Sequence, residues 1–192
     1  TDLDQWREAL APGATTVLVE SPSNPTLEIL DISEVARLSH QAGATLIVDN
    51  VFATPIFQRP IELGADIVVY SATKYVDGQG RVLGGAILGT QKFCADVVQP
   101  YIRNTGPSLS PFNAWVLLKG LETMEIRIRA QTEAAAKIAD FLSSAPGVTQ
   151  VLYPGRSDHP QHALAAKQMT GFGAIISFNI AGGKDAAFQV LN

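Results

Sequence analysis

Hydrophobic positions along this chain follow two different periods. Residues 15–20, 44–48 and 67–70 are short, nearly continuous apolar runs, and 83–88 is a fourth, rich in glycine. Runs of this length bounded by Ser, Pro, Asn and Gly predict buried strands. Residues 1–10 and 31–42 instead show helical spacing, with Leu3, Trp6 and Leu10 on one face of the first. Ile32, Val35, Ala36 and Leu38 share a face of the second, which ends at Gly43. Thr1 or Asp2 is the expected cap of the first helix. Short apolar strands alternating with helices predict an α/β fold, a mostly parallel sheet with helices on both faces.

Polar residues fall just after the ends of these strands: Ser21-Pro22-Ser23-Asn24-Pro25, Asp49-Asn50 and Ser71-Ala72-Thr73-Lys74. In open α/β sheets ligands bind along that edge. Farther on, 106–111 predicts a loop, with Pro111 at a helix start. Residues 112–143 then keep helical spacing without an internal proline, and Gly120 is expected to mark a bend. Pro146-Gly147 ends this long helix. Strands are expected at 149–153 and 174–180, and a helix begins at 185–191. The implied organisation is a large α/β portion over 1–111, a linking helix over 112–145, and the start of a smaller α/β domain over 146–192.

Composition narrows the possibilities. Of 192 residues, 46% are hydrophobic and 17% charged, enough for a packed core and against disorder. A net charge of −4 without a basic run argues against nucleic acid or an anionic membrane as partner. Cys94 is the single cysteine, so no internal disulfide is possible and a reducing, cytoplasmic setting is expected. The acidic N-terminus does not read as a signal peptide. No apolar run approaches the ~20 residues that span a bilayer.

A lysine after a strand is most often a solvated charge, and an aspartate there is most often a cap or turn residue. Their combination is more informative. A lysine, an aspartate and two closely spaced hydroxyls converging on one sheet edge suit pyridoxal phosphate (PLP). That cofactor needs an amine for its aldehyde, an anion for its pyridinium nitrogen and donors for its phosphate.

The segments Glu20-Ser21-Pro22-Ser23-Asn24-Pro25, Val48-Asp49-Asn50 and Ser71-Ala72-Thr73-Lys74-Tyr75 resemble the PLP enzymes of cysteine and methionine metabolism, in order and spacing. Phe57-Gln58-Arg59-Pro60 and Leu63-Gly64-Ala65-Asp66 extend the resemblance, which covers essentially the whole chain. It implies the aspartate aminotransferase-like fold (fold type I). It also implies that Lys74 forms the Schiff base and later shuttles protons, from a buried position. By the same resemblance Asp49 partners the pyridinium, Ser71 and Thr73 hold the phosphate, and Asn24 lies near the ring and the substrate carboxylate.

Asp77-Gly78-Gln79-Gly80-Arg81, Gly84-Gly85, Val51 and the stretch from Thr105 to Trp115 are similar to the O-succinylhomoserine sulfhydrylase branch. Tyr70 stands where histidine is frequent. The branch implies a γ-replacement in which O-succinylhomoserine and sulfide give homocysteine. Cystathionine γ-synthase and γ-lyase chemistry are the alternatives, because these branches share most of the same residues. A homotetramer built from dimers, acting on a small amino-acid substrate, is also implied. Members of the family are roughly twice this length, so the chain resembles a central fragment. On its own it is expected to retain cofactor weakly and not to turn over, and a non-catalytic fragment is the alternative of another class.

Other features point nowhere further. Pro160 between His159 and His162 predicts a turn rather than a metal pair. Gly78-x-Gly80 lacks the remaining spacing of a dinucleotide loop. Arg59, Arg81 and Arg103 are expected in structural pairs or interfaces, and Cys94 as a small buried hydrophobe.

Overall fold

The computed structural model describes residues 1–191. In chain order the elements are α1 (Leu3–Leu10), β1 (Thr16–Glu20), α2 (Ile32–Gln41), β2 (Thr45–Asp49), α3 (Thr54–Phe57), β3 (Ile67–Ser71) and β4 (Gly85–Leu88). There follow α4 (Gln91–Phe93), a π-helical stretch at Cys94–Val98, α5 (Gln99–Thr105), α6 (Pro111–Ser143), β5 (Val148–Leu152), α7 (His162–Gln168), β6 (Ser177–Ile180) and α8 (Gly183–Leu191).

The main sheet has the order β1-β2-β3-β4. Its first three strands are parallel and β4 returns antiparallel to β3. Parallel neighbours need a crossover, and α2 supplies the first one. Asp31 caps α2 by accepting from the Glu34 N–H at 3.1 Å, and Asp2 caps α1 by accepting from the Asp4 N–H at 2.8 Å. These caps satisfy donors that a helix start otherwise leaves open.

Alternation along the strands divides the sheet into two unlike faces. Val17, Val19, Leu46, Val48, Val68 and Tyr70 point to one side, where Ile32, Val35, Ala36 and Leu38 of α2 cover them. On the other side Leu18 is 68% exposed and Ile87 48%, while Ile47 and Val69 are half-buried.

Helix α6 is 33 residues long and has a buried stripe shared among three clusters. Val116 and Leu117 pack on Ala72 and Val82; Met124 and Ile128 pack on Phe57; Ala135 and Ala139 pack on Val151 and Tyr153 of the β5–β6 region. Pro111 opens the helix, as expected, and Ser110 caps it by accepting from the Asn113 N–H at 3.1 Å. Gly120 does not interrupt it. A Cβ there would lie 2.0 Å from the Val76 carbonyl oxygen, so the glycine permits a close approach rather than a bend.

Two expectations shift. The last strand begins at Ser177 rather than residue 174, because the residues ahead of it dock on α3: Thr170 N–H donates to Phe57 O at 2.9 Å, and Gly171 lies against the Phe57 ring. Helix α7 lies where sequence periodicity was too short to register. It buries Ala165 against Ile29 and Ala53. No helix among the described residues is long and apolar enough to cross a membrane.

Candidate active site

The parallel register brings the sequence-predicted groups to one edge. Glu20 at the end of β1 lies beside Asp49 at the end of β2, and Asp49 lies beside Val69, two residues before Ser71. Because β2 alternates, Asp49 and Asn50 diverge: Asp49 is half-buried, while Asn50 is fully buried.

Asp49 Oδ1 accepts from the Val51 N–H at 3.0 Å, and no donor occupies the other carboxylate oxygen among the described residues. The Ser71 and Thr73 hydroxyls are 2.6 Å apart and half-buried. Neither has another side-chain partner among the described residues, so both can turn toward an anion. Lys74 sits on the turn they begin and carries no hydrogen bond or ion pair on its amine among the described residues. The expectation that Lys74 is buried is corrected: it is exposed in this chain, because the turn leaves β3 at the open rim of the sheet.

The turn itself is tightly folded. Ala72 N–H donates to Gly84 O at 2.9 Å, Asp77 N–H to Ala72 O at 2.9 Å and Gly78 N–H to Lys74 O at 2.7 Å. Asp77 is fully buried and receives the Arg81 backbone N–H and, at 2.8 Å, the Arg81 Nε–H. Burial pushes the Asp77 carboxyl up, but the donations from Arg81 outweigh it and hold the group below the usual carboxylate range.

Asn24 is exposed on the loop after β1. Its backbone N–H donates to Glu20 Oε2 at 3.1 Å, and Ser177 Oγ donates to the neighbouring Pro25 carbonyl. His159 is buried nearby, and burial pushes its imidazole below the ordinary range despite an opposing hydrogen bond to the Leu27 backbone. Arg59 and Arg81 make the structural pairs expected of them, with Glu62 and Asp77. Among the described residues no cluster of three or more His, Cys, Asp or Glu side chains is placed to hold a metal ion.

Sequence patterns missed the buried polar network behind this edge. Asn50 Nδ2 donates to Tyr70 Oη at 2.8 Å and to the carbonyls of Thr54 and Gln58. Gln58 Nε2 donates to Asn50 Oδ1 and to the Ser21 carbonyl, each at 2.8 Å. Gln168 Nε2, from α7, donates to Gln58 Oε1 at 3.0 Å and to Leu30 O at 2.9 Å. Tyr70 thus has a role as an acceptor for Asn50. Burial pushes its phenol up, Asp49 adds to that, and the Asn50 bond opposes it. The one available signal was Tyr70 itself, a polar tip in an otherwise apolar strand.

Set against known proteins, the whole chain, residues 1–192, matches the family described as Cys/Met metabolism PLP-dependent enzyme. O-succinylhomoserine sulfhydrylase of Pseudomonas aeruginosa is 48% identical over 192 residues, covering 100% of this chain and 47% of that protein. L-methionine gamma-lyase of Fusobacterium nucleatum subsp. polymorphum is 42% identical over 196 residues, covering 100% of this chain and 49% of that one. A solved structure of cystathionine gamma synthase from Xanthomonas oryzae pv. oryzae, in complex with cystathionine, superposes with a TM-score of 0.96 at 40% identity, covering 100% and 50% of the two chains. The chain therefore spans about half the length of the relatives it matches. With a family match over every residue, an α/β sheet of the same shape, and an edge carrying Asp49, Ser71, Thr73 and Lys74, this chain belongs to the PLP-dependent enzymes of Cys/Met metabolism.

Proposed function

We propose that the chain carries the cofactor-holding centre of a PLP-dependent γ-replacement enzyme that makes homocysteine from O-succinylhomoserine and sulfide. The observation carrying this is the set of unengaged groups at one sheet edge: the second Asp49 oxygen, the paired hydroxyls of Ser71 and Thr73, and the amine of Lys74. These fit the group chemically, offering an anion, phosphate donors and an amine. When bound, the cofactor supplies an electron sink that delocalises negative charge from the α- and β-carbons of an amino acid.

The chain's own residues then have separable tasks. Asp49 holds a proton on the pyridine nitrogen through a charge-assisted hydrogen bond. Ser71 and Thr73 donate to phosphate oxygens. Lys74 Nζ would bond to the aldehyde carbon at rest; once freed, it would take the α-proton of the substrate, give that proton up to the cofactor and only then take a β-proton, so that succinate could leave the γ-carbon and hydrosulfide could add there. Asn24 hydrogen-bonds near the ring and the substrate carboxylate. The sulfhydrylase assignment rests on the 48% identity to the P. aeruginosa protein; cystathionine γ-synthase or γ-lyase chemistry is the alternative.

The wider reading is a cytoplasmic homotetramer in which 1–111 and 146–192 contribute to separate domains joined by 112–145. Phe112, Trp115, Leu118 and Leu121 on α6 are each more than half exposed, an apolar surface of the kind that assembly covers.

The test is borohydride reduction of the protein with PLP, followed by peptide mapping. A pyridoxyl adduct confined to Lys74 is expected, and scatter over surface lysines would overturn the assignment. Assays of the full-length protein with O-succinylhomoserine and sulfide should then release homocysteine. Cystathionine formed preferentially from cysteine, or 2-oxobutyrate without a nucleophile, would favour the alternatives.

A further inference from the structure

Arg127 stands apart from Arg129, the other arginine of α6. Arg129 pairs with Glu125, but no carboxylate pairs with Arg127 among the described residues. Its guanidinium instead turns into the fold: Nη2 donates to Tyr75 O at 3.0 Å, to Val76 O at 3.3 Å and to Gly120 O at 2.9 Å. Nε donates to Thr123 Oγ1 at 3.1 Å, which fixes the plane of the group. Nη1 is buried without an acceptor and lies over Gly78, where a Cβ would come within 2.0 Å of it.

A half-buried cation whose Nη2 is spent on neutral carbonyls and whose Nη1 is buried unpaired is an expensive arrangement unless it secures something. Tyr75 and Val76 are the two residues that follow Lys74, and their carbonyls are the ones held. The close approach of Gly120 to Val76 O brings α6 near enough for the same guanidinium to reach all three carbonyls. Glycine at 78, with φ +73°, leaves room for Nη1. The Gly78 segment, which the cofactor chemistry did not explain, is thereby accounted for as the seat of this arginine.

We propose that Arg127 is a positioning residue for Lys74, fixing the backbone just beyond it to α6 so that the amine is held relative to Asp49 and the Ser71–Thr73 hydroxyls. Lys74 has no side-chain partner among the described residues to set its position, so its backbone must do so. The β3–β4 ladder anchors that backbone on one side, through Ala72, and Asp77 with Arg81 closes the turn. Arg127 supplies the remaining anchor. The proposal rests on the assignment of Lys74 given above.

The test compares Arg127→Met and Arg127→Lys in the full-length, PLP-loaded protein, with Gly78→Ala as a second perturbation from the other side of the guanidinium. Arg127→Met should lower kcat by about 10- to 100-fold with KM changed far less, as expected for a misplaced reacting group. The pH midpoint of the visible absorption band should move, and amide exchange over residues 74–80 should accelerate. Arg127→Lys, which retains a cationic donor, should recover most of the rate, and Gly78→Ala should shift the band in the same direction as Arg127→Met. If Arg127→Met does not fold, the other two variants decide. Loss of melting temperature with an unmoved band midpoint and unchanged kcat per folded molecule would overturn the proposal. A wild-type protein with no band reducible onto Lys74 would overturn the underlying assignment instead.

Discussion

Asp49 and Asn50 are adjacent in the chain and serve opposite sides of the same strand. Asn50 faces a closed, fully hydrogen-bonded interior with Tyr70, Gln58 and, through Gln58, Gln168. Asp49 faces the open edge with an oxygen to spare, alongside an exposed Lys74. The difference separates two kinds of polar residue. Those behind the sheet are satisfied within the chain and maintain its shape. Those at the edge, an Asp49 oxygen and the Lys74 amine, have no partner among the described residues, and the proposed function assigns them to the cofactor. Unpaired polar atoms are costly in an interior and cheap at a rim, so the rim is where reactive groups can be kept available.

Substitutions can break this contrast. The largest effect is expected on the open side: under the role proposed for Lys74, Lys74→Ala should lower turnover of the full-length protein by more than about 1,000-fold, since it removes the acid–base group and the anchor together. Its thermal unfolding should stay within about 0.5 kcal/mol of wild type, because no described contact is lost. On the closed side the reverse is expected. Asn50→Leu removes the donor to the Gln58 carbonyl and to Tyr70 Oη and one of the two acceptors of Gln58 Nε2, and should cost about 3 kcal/mol in chemical denaturation. Similar losses for Lys74→Ala and Asn50→Leu would erase the distinction.

Gly120→Ala probes the junction between the two sides. Its Cβ would press on a backbone oxygen that cannot rotate away, so a cost of about 2 kcal/mol is expected, with weaker cofactor retention measured by dialysis. The smallest effect concerns pH. Burial keeps the His159 imidazole below its ordinary value of 6.5, so as pH falls the unfolded chain takes up the proton first. Stability should be full above about pH 6.5 and decline below it, toward the lower folded value. His159→Asn should flatten the dependence of melting temperature on pH across that window.

The sequence made the open side legible and left the closed side dark. Strand ends followed by Asp49 and by Ser71-x-Thr73-Lys74 carry the edge, because hydrophobic period and family resemblance both locate them. Asn50, Gln58 and Gln168 are brought together from positions up to 118 apart in the chain. No local period marks a residue whose partner arrives from a distant helix. Arg127 was invisible for a related reason: on a helix rich in charge, its spacing resembles that of its solvated neighbours, and only the turn of its guanidinium toward Tyr75 and Val76 distinguishes it.

The approach of α6 to Val76 has a consequence for how the sequence can drift. At most positions on an exposed helix a codon has neighbours that encode tolerable replacements. At Gly120 any replacement brings at least one carbon to 2.0 Å from a main-chain oxygen, which no rotamer can avoid. Position 120 therefore has no neutral neighbours one mutation away. Lineages that retain this turn geometry should retain glycine there, even while the residues on either side of it on the helix diverge.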